Sequence, residues 1–156
     1  MIATRAFIGL GSNLGDREAL LDSAFTALER VGTVRRSRLH ESEAVTLDSK
    51  PRPPYLNAVA EVQTTLSPLE LLDACLAIER AYGRIREANT RWESRTLDLD
   101  VLLYGGYTIQ SNRLSIPHPH LHRRLFVLAP LAELAPDFWV PPPVEETVQT
   151  LFASLT

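Results

Sequence analysis

The chain has 156 residues, 45% hydrophobic and 22% charged, with a formal net charge of −3. That length suits one domain spanning 1–156, able to bury roughly 70% of the surface its unfolded form exposes, and the charge balance lacks the basic excess that a nucleic-acid partner demands. No apolar run approaches the roughly 18 residues of a membrane span, and the N-terminal residues lack a signal-peptide pattern, so a cytoplasmic protein without a membrane partner is expected.

Residues 6–10 read as a first strand, which the run Gly9-Leu10-Gly11-Ser12-Asn13-Leu14-Gly15-Asp16 then breaks with turn residues. Leucine at position 14 spoils the G-x-G-x-x-G dinucleotide fingerprint, so the run reads as a turn opening a helix, capped by Asn13 or Asp16. Leu21, Ala24, Leu28 and Val31 recur at helical spacing over residues 16–31, and Gly32 is the expected stop. Residues 33–45 are compatible with a strand, but Arg35, Arg36 and Arg38 would be costly on a buried face, which predicts an edge strand with a solvated basic side. Residues 46–54 hold Asp48, Ser49 and three prolines, a composition that suits a mobile loop or lid and forbids a central strand.

Alternation returns over residues 55–63, with Tyr55, Asn57, Val59 and Glu61 on one face and Leu56, Ala58, Ala60 and Val62 on the other. Taken alone, Asn57 reads as a strand-end hydrogen bond to backbone. Ser67-Pro68-Leu69-Glu70 is a strong helix start, with serine as cap, proline at the first position and glutamate completing a capping box. The helix is expected to run to about Tyr82 with an apolar stripe of Leu69, Leu72, Cys75 and Leu76. Cys75 is the only cysteine, which excludes an internal disulfide and reads as a buried structural thiol. Glu79 stands on or beside that stripe, either paired with an arginine as structure or presented to a site.

Fifteen of the 16 basic residues are arginine. Arg84, Arg86, Arg91 and Arg95, with Trp92 among them, make a loop rich in bidentate phosphate binders that leads into a strand. In that strand Leu97, Leu99, Val101 and Leu103 point one way and Thr96, Asp98, Asp100 and Leu102 the other. Asp98 and Asp100 are therefore neighbours about 6 to 7 Å apart. Two carboxylates at that distance repel by roughly 3 kcal/mol at an effective dielectric of about 20, a cost that a divalent cation offsets. Mg²⁺ prefers oxygen ligands and commonly takes one or two carboxylates, completing its shell with water and phosphate oxygens. Gly105-Gly106 then turns the chain into an expected hairpin partner at 107–110. His118, His120 and His122 alternate as transition-metal ligands would, but Pro117 and Pro119 favour a rigid turn over a strand. Helices are expected at 125–134, around Pro130, and at 144–154, separated by Pro141-Pro142-Pro143.

The stretch Arg91-Trp92 followed by Arg95-Thr96-Leu97-Asp98-Leu99-Asp100-Val101-Leu102-Leu103 resembles the signature of the 6-hydroxymethyl-7,8-dihydropterin pyrophosphokinases of folate biosynthesis. One position departs, since the family has Gly or Ala where this chain has Glu93. Gly11-Ser12-Asn13-Leu14, Tyr55-Leu56-Asn57-Ala58 and the Pro117-His118 segment followed by Arg124 and Phe126 extend the resemblance in the correct order from Gly9 to Phe126. It implies a pyrophosphokinase that uses ATP and two Mg²⁺ ions, giving AMP and the pterin diphosphate. Asp98 and Asp100 would be the metal ligands and, with Arg84 and Arg95, the catalytic residues. Nucleotide and phosphate contacts are implied for Glu79, Arg84, Arg86, Arg91, Trp92, His118 and Arg124. Pterin contacts are implied for Ala44, Val45, Leu47, Tyr55, Asn57, Trp92, Asp98 and Phe126, beneath a loop at 46–54 that closes over both substrates. No residue is assigned as general base. The expected protein is a monomer acting on small molecules.

The predicted element order gives an α+β fold, a ferredoxin-like α/β sandwich with a βαββαβ core, an added hairpin and C-terminal helices. Two readings from other classes remain open. A nucleotidyltransferase could use the same Asp98/Asp100 pair to attack the α-phosphorus, and a non-catalytic module of the same shape would bind a small molecule without Mg²⁺.

Overall fold

The computed structural model describes residues 2–13, 15–42, 54–83 and 97–156. In chain order the elements are β1 (Thr4–Ser12), α1 (Arg17–Leu28), β2 (Gly32–Arg36), β3 (His40–Ser42), β4 (Tyr55–Thr64), α2 (Pro68–Ile78), β5 (Asp98–Tyr104), β6 (Ile109–Gln110), β7 (Ser115–Ile116), α3 (Leu125–Leu134), β8 (Trp139–Val140), β9 (Glu146–Thr147) and α4 (Val148–Ser154). A π-helical turn, Glu79–Gly83, follows α2, and a 3-10 turn, Leu121–Arg123, precedes α3.

The main sheet is antiparallel, in the order β2-β4-β1-β5, and β3 pairs with β4 beyond the end of β2. One strand was expected at 33–45; two form, because the ladder to β4 breaks at Ser37. That buried serine bridges the gap, its N–H donating to the Val59 carbonyl at 3.0 Å and its hydroxyl accepting the Val59 N–H at 2.8 Å. The arginines there are exposed, as expected, yet each is paired: Arg35 with Glu61, Arg36 with Asp22 and Arg38 with Glu133.

Each face of the sheet has its own core. On one side Leu56, Ala58, Ala60 and Val62 of β4 meet Leu21, Ala24, Phe25 and Leu28 of α1 and Leu71, Cys75 and Ile78 of α2. On the other, Phe7, Val59, Leu102 and Leu103 meet Val127, Leu128, Leu131 and Leu134 of α3 and Val148 of α4. Each fully buried leucine contributes on the order of 2 kcal/mol. Strict alternation along β5 fails at one point. Phe7 sits opposite Leu103 and Ile8 opposite Val101, so Leu102 is the extra residue of a bulge and Leu103 joins the face that Leu102 already occupies.

Caps form as the sequence indicates. Asp16 accepts the Ala19 N–H at 3.1 Å, and Ser67 and Glu70 complete a capping box around Pro68. The stripe that α2 buries is Leu71, Cys75 and Ile78, spaced four and three apart. Leu69 is instead exposed and Leu72 only partly buried. Both stripes obey helical spacing, and the angle at which α2 meets the sheet selects between them. The expected hairpin partner of β5 is absent among the described residues. After a turn with Gly105 at φ +51°, residues Ile109–Gln110 pair with Ser115–Ile116 instead. A further ribbon, β8 with β9, shortens the last helix to Val148–Ser154. No described helix is long and apolar enough to cross a membrane.

Candidate active site

Glycine on the central strand opens the site. Along β1, Gly11 pairs with Asn57 of β4 on one side and Asp98 of β5 on the other, while Gly9 pairs with Val59 and Asp100. Asn57, Gly11 and Asp98 therefore form one row across three strands, spanning about 10 Å at the usual strand spacing. A side chain at Gly11 would stand in the middle of that row, where an added Cβ would lie 3.3 Å from Asn57 Oδ1. Without one, the sheet offers a bare floor with an amide at one edge and carboxylates at the other.

Over this floor lies a cavity of about 280 Å³, near the lower end of the range for small-molecule sites. Gly9, Leu10, Gly11, Ser42, Tyr55, Asn57, Ala58, Asp98, Asp100, Leu102, His118, Arg124, Phe126 and Val127 line it. Seven of the sequence-derived residues thus meet in one place: Tyr55, Asn57, Asp98, Asp100, His118, Arg124 and Phe126. Ala44, Val45, Leu47, Arg84, Arg86, Arg91, Trp92, Glu93, Arg95 and all but the last residue of the expected loop at 46–54 lie outside the described residues.

Local structure aims each side chain. Asn57 is buried, and its Nδ2 donates to Ser42 Oγ at 2.7 Å and the His40 carbonyl at 3.4 Å, so β3 fixes the amide plane and turns Oδ1 toward Gly11. The backbone bond expected of Asn57 is therefore present, and the residue lines the cavity as well. His118 is tied to β5 by its N–H donating to the Leu102 carbonyl at 2.9 Å. Its Nδ1 accepts the His120 N–H at 3.3 Å, which leaves the ring proton on Nε2. Burial holds the His118 pKa below its ordinary value, Asp100 works in the opposite direction, and Arg124 and His120 add to the depression. At neutral pH His118 is thus a neutral hydrogen-bond donor. Arg124 opens α3 with its guanidinium 5.6 Å from the centre of the Phe126 ring. The three histidines do not share a strand: His118 and His120 precede, and His122 lies within, the 3-10 turn.

Glu79 does not line the cavity. Its carboxylate is buried after the end of α2, and Oε2 accepts the Leu99 N–H at 2.8 Å. Nearby, burial first and the charges of Glu79 and Asp100 second push the Cys75 thiol up to about 12, so Cys75 stays protonated inside the core.

The lining that sequence reasoning missed is Gly9, Leu10, Gly11, Ser42, Ala58, Leu102 and Val127. The glycines carried a signal, since glycine at alternate positions of a strand marks close approach by another group. They were read as a turn that ends β1, whereas the strand continues through them to Ser12.

The donor set has a clear chemistry. Two carboxylates separated by one residue on a strand face, opening into a cavity with room for phosphate and water oxygens, fit a hard divalent cation such as Mg²⁺. Among the described residues no group of three His, Cys, Asp or Glu forms a closed metal cage.

Comparison with known proteins places the chain in a family. The family model for 7,8-dihydro-6-hydroxymethylpterin-pyrophosphokinase matches residues 7–136. Proteins named 2-amino-4-hydroxy-6-hydroxymethyldihydropteridine pyrophosphokinase are among the relatives. That of Pseudomonas aeruginosa is 44% identical over 88% of this chain and 84% of its own, and that of Haemophilus influenzae 45% identical over 87% and 84%. The Methylorubrum extorquens protein of that name is 40% identical over 97% of this chain and 94% of its own. In three dimensions the chain is similar to crystal structures of Plasmodium falciparum HPPK-DHPS. The wild-type form has a TM-score of 0.76 at 16% identity, and the form with pteroate 0.78 at 14%. These matches cover 98% of this chain but only 45% and 44% of the Plasmodium chains, so it spans less than half their length.

Proposed function

The chain belongs to the 7,8-dihydro-6-hydroxymethylpterin-pyrophosphokinase family, and from that premise we propose how its cavity carries out the family's reaction. It is an ATP-dependent diphosphotransferase that moves pyrophosphate from ATP to the hydroxymethyl group of 6-hydroxymethyl-7,8-dihydropterin in folate biosynthesis. The hydroxymethyl oxygen bonds to the β-phosphorus, the link from that phosphorus to the α,β-bridging oxygen breaks, and AMP departs.

The row Asn57–Gly11–Asp98 is the observation that best supports this assignment. The flat pterin lies over Gly11 with its amide-like edge on Asn57, whose side chain offers both an acceptor and donors, and with Tyr55 and Phe126 against its faces. Its hydroxymethyl arm then points toward Asp98 and Asp100. Those two carboxylates hold two Mg²⁺ ions, which when bound neutralise triphosphate charge and polarise the phosphoryl group. The His118 Nε2–H and the Arg124 guanidinium donate to phosphate oxygens, and Arg84 and Arg95 carry the charge that develops on the departing AMP. Arg86, Arg91 and Trp92 serve as further nucleotide contacts, and Ala44, Val45 and Leu47 as pterin contacts.

With β2 and β3 taken as one interrupted strand, the βαββαβ order and the β2-β4-β1-β5 arrangement support a ferredoxin-like core, and residues 1–156 act as one pyrophosphokinase domain, a monomer of the cytoplasm. ATP consumption by the purified protein tests the assignment. It should require both Mg²⁺ and 6-hydroxymethyl-7,8-dihydropterin, and the 6-methyl analogue, which lacks the attacking oxygen, should inhibit without reacting. Adenylylation of an acceptor would favour the nucleotidyltransferase, and binding without turnover would favour the non-catalytic module.

A further inference from the structure

Glu79 presents a buried carboxylate that the cavity does not use. Burying such a group is costly unless it is hydrogen-bonded, and here its Oε2 accepts a backbone N–H, that of Leu99, at 2.8 Å. Leu99 stands between Asp98 and Asp100 on β5, which among the described residues is the last strand on its side of the sheet and pairs with β1 alone. Successive N–H groups of a strand point to opposite edges, and the Leu99 N–H, bonded to Glu79, points to the edge away from β1, where no strand lies among the described residues. Glu79 thus receives the outward N–H of the residue that separates the two aspartates. Its origin is rigid, because the capped helix α2 and the π-helical turn after it bring the side chain to β5 from the opposite face to the cavity.

We propose that Glu79 is a positioning residue: by holding the Leu99 N–H it fixes the backbone between Asp98 and Asp100, and with it the spacing of the two carboxylates that take the metal. This rests on the reading of Asp98 and Asp100 as metal ligands. It assigns Glu79 a place behind the site rather than the nucleotide contact implied by family resemblance. Hydrogen-bonded groups behind metal ligands typically change metal affinity by about 10- to 100-fold when removed.

The test compares Glu79→Met, which keeps the volume and loses the acceptor, with Glu79→Gln, which keeps an acceptor oxygen and loses the charge. Three quantities are read: hydrogen exchange of the Leu99 amide in the free protein, the Mg²⁺ concentration half-saturating the binding of a non-hydrolysable ATP analogue, and the affinity for that analogue in EDTA. In Glu79→Met the Leu99 amide should exchange at least tenfold faster and the Mg²⁺ midpoint should rise about tenfold, with the EDTA affinity within twofold of wild type. Glu79→Gln should restore the midpoint to within about threefold. An unchanged midpoint in folded Glu79→Met would overturn the proposal. So would a parallel loss of affinity in EDTA, which marks a direct nucleotide contact, or a glutamine variant as impaired as the methionine one, which marks a role for charge alone. If Glu79→Met does not fold, Glu79→Asp, one methylene short of the Leu99 N–H, is read in its place by the same criteria. Failure of the wild-type protein to turn over ATP with the pterin would remove the functional reading itself, so the two failures are distinct.

Discussion

Asp100 is exposed and Asp98 only half-buried, so neither carboxylate supports the apolar core, and an amide at either position should leave the fold in place. Asp98→Asn and Asp100→Asn are each expected to lower kcat at least a hundredfold, about 2.7 kcal/mol of barrier, with far-ultraviolet circular dichroism unchanged. A folded variant with near wild-type turnover in Mg²⁺ would remove the metal assignment. His118 supplies a pH dependence of definite sign. Its folded pKa lies below the unfolded value of about 6.5, so between those two values the unfolded chain binds the proton more readily and the native state loses stability as pH falls. Above about 6.5 both states hold the ring neutral and the effect vanishes. Thermal midpoints measured from pH 7.5 down to 5 should therefore fall less steeply in His118→Gln than in the parent, and identical slopes would contradict the neutral, desolvated imidazole.

Elements differed in how openly the sequence declared them. The capping box at Ser67 was plain because a local rule sets it, and Ser67→Ala should cost about 1 kcal/mol in a denaturant melt while leaving activity unchanged. Gly32 was rightly singled out, but for a different reason. It opens β2, where an added Cβ would lie 2.1 Å from the Gln63 carbonyl, so strand approach requires the glycine after the helix has already ended at Leu28. The glycines of β1 deceived for a related reason, since a strand can carry turn residues when a ligand must lie on its face. Gly11→Ala should raise KM for the pterin about tenfold, roughly 1.4 kcal/mol, with KM for ATP within twofold, because the methyl group crowds Asn57 and leaves Asp100 untouched. An unchanged pterin KM in a folded variant would refute the glycine floor. The bulge at Leu102 and the β8–β9 ribbon left no readable trace, and of the β6–β7 ribbon only a strand near 107–110 was legible, not its partner, because two-residue strands and a single inserted residue have no periodicity of their own.

For the whole molecule, the cavity collects residues that no local rule of sequence connects. Asp98, Asp100, Asn57, His118, Arg124 and Phe126 are far apart in the chain, and alternation with turn chemistry alone would not have joined them; family resemblance did, and the fold brings them around one cavity. What stayed hidden was the bond from Glu79 to Leu99, which depends on β5 being an edge strand, a property of the assembled sheet. If the glycine-floored sheet holds the pterin alcohol against the β-phosphorus of ATP, the position of attack can be measured directly. ATP labelled at the β-phosphorus should be incubated with the protein, Mg²⁺ and 6-hydroxymethyl-7,8-dihydropterin, and the products separated. The label should appear in a diphosphorylated pterin with an equal amount of unlabelled AMP; label in ADP, or in free pyrophosphate beside an adenylylated acceptor, would rule out attack at the β-phosphorus.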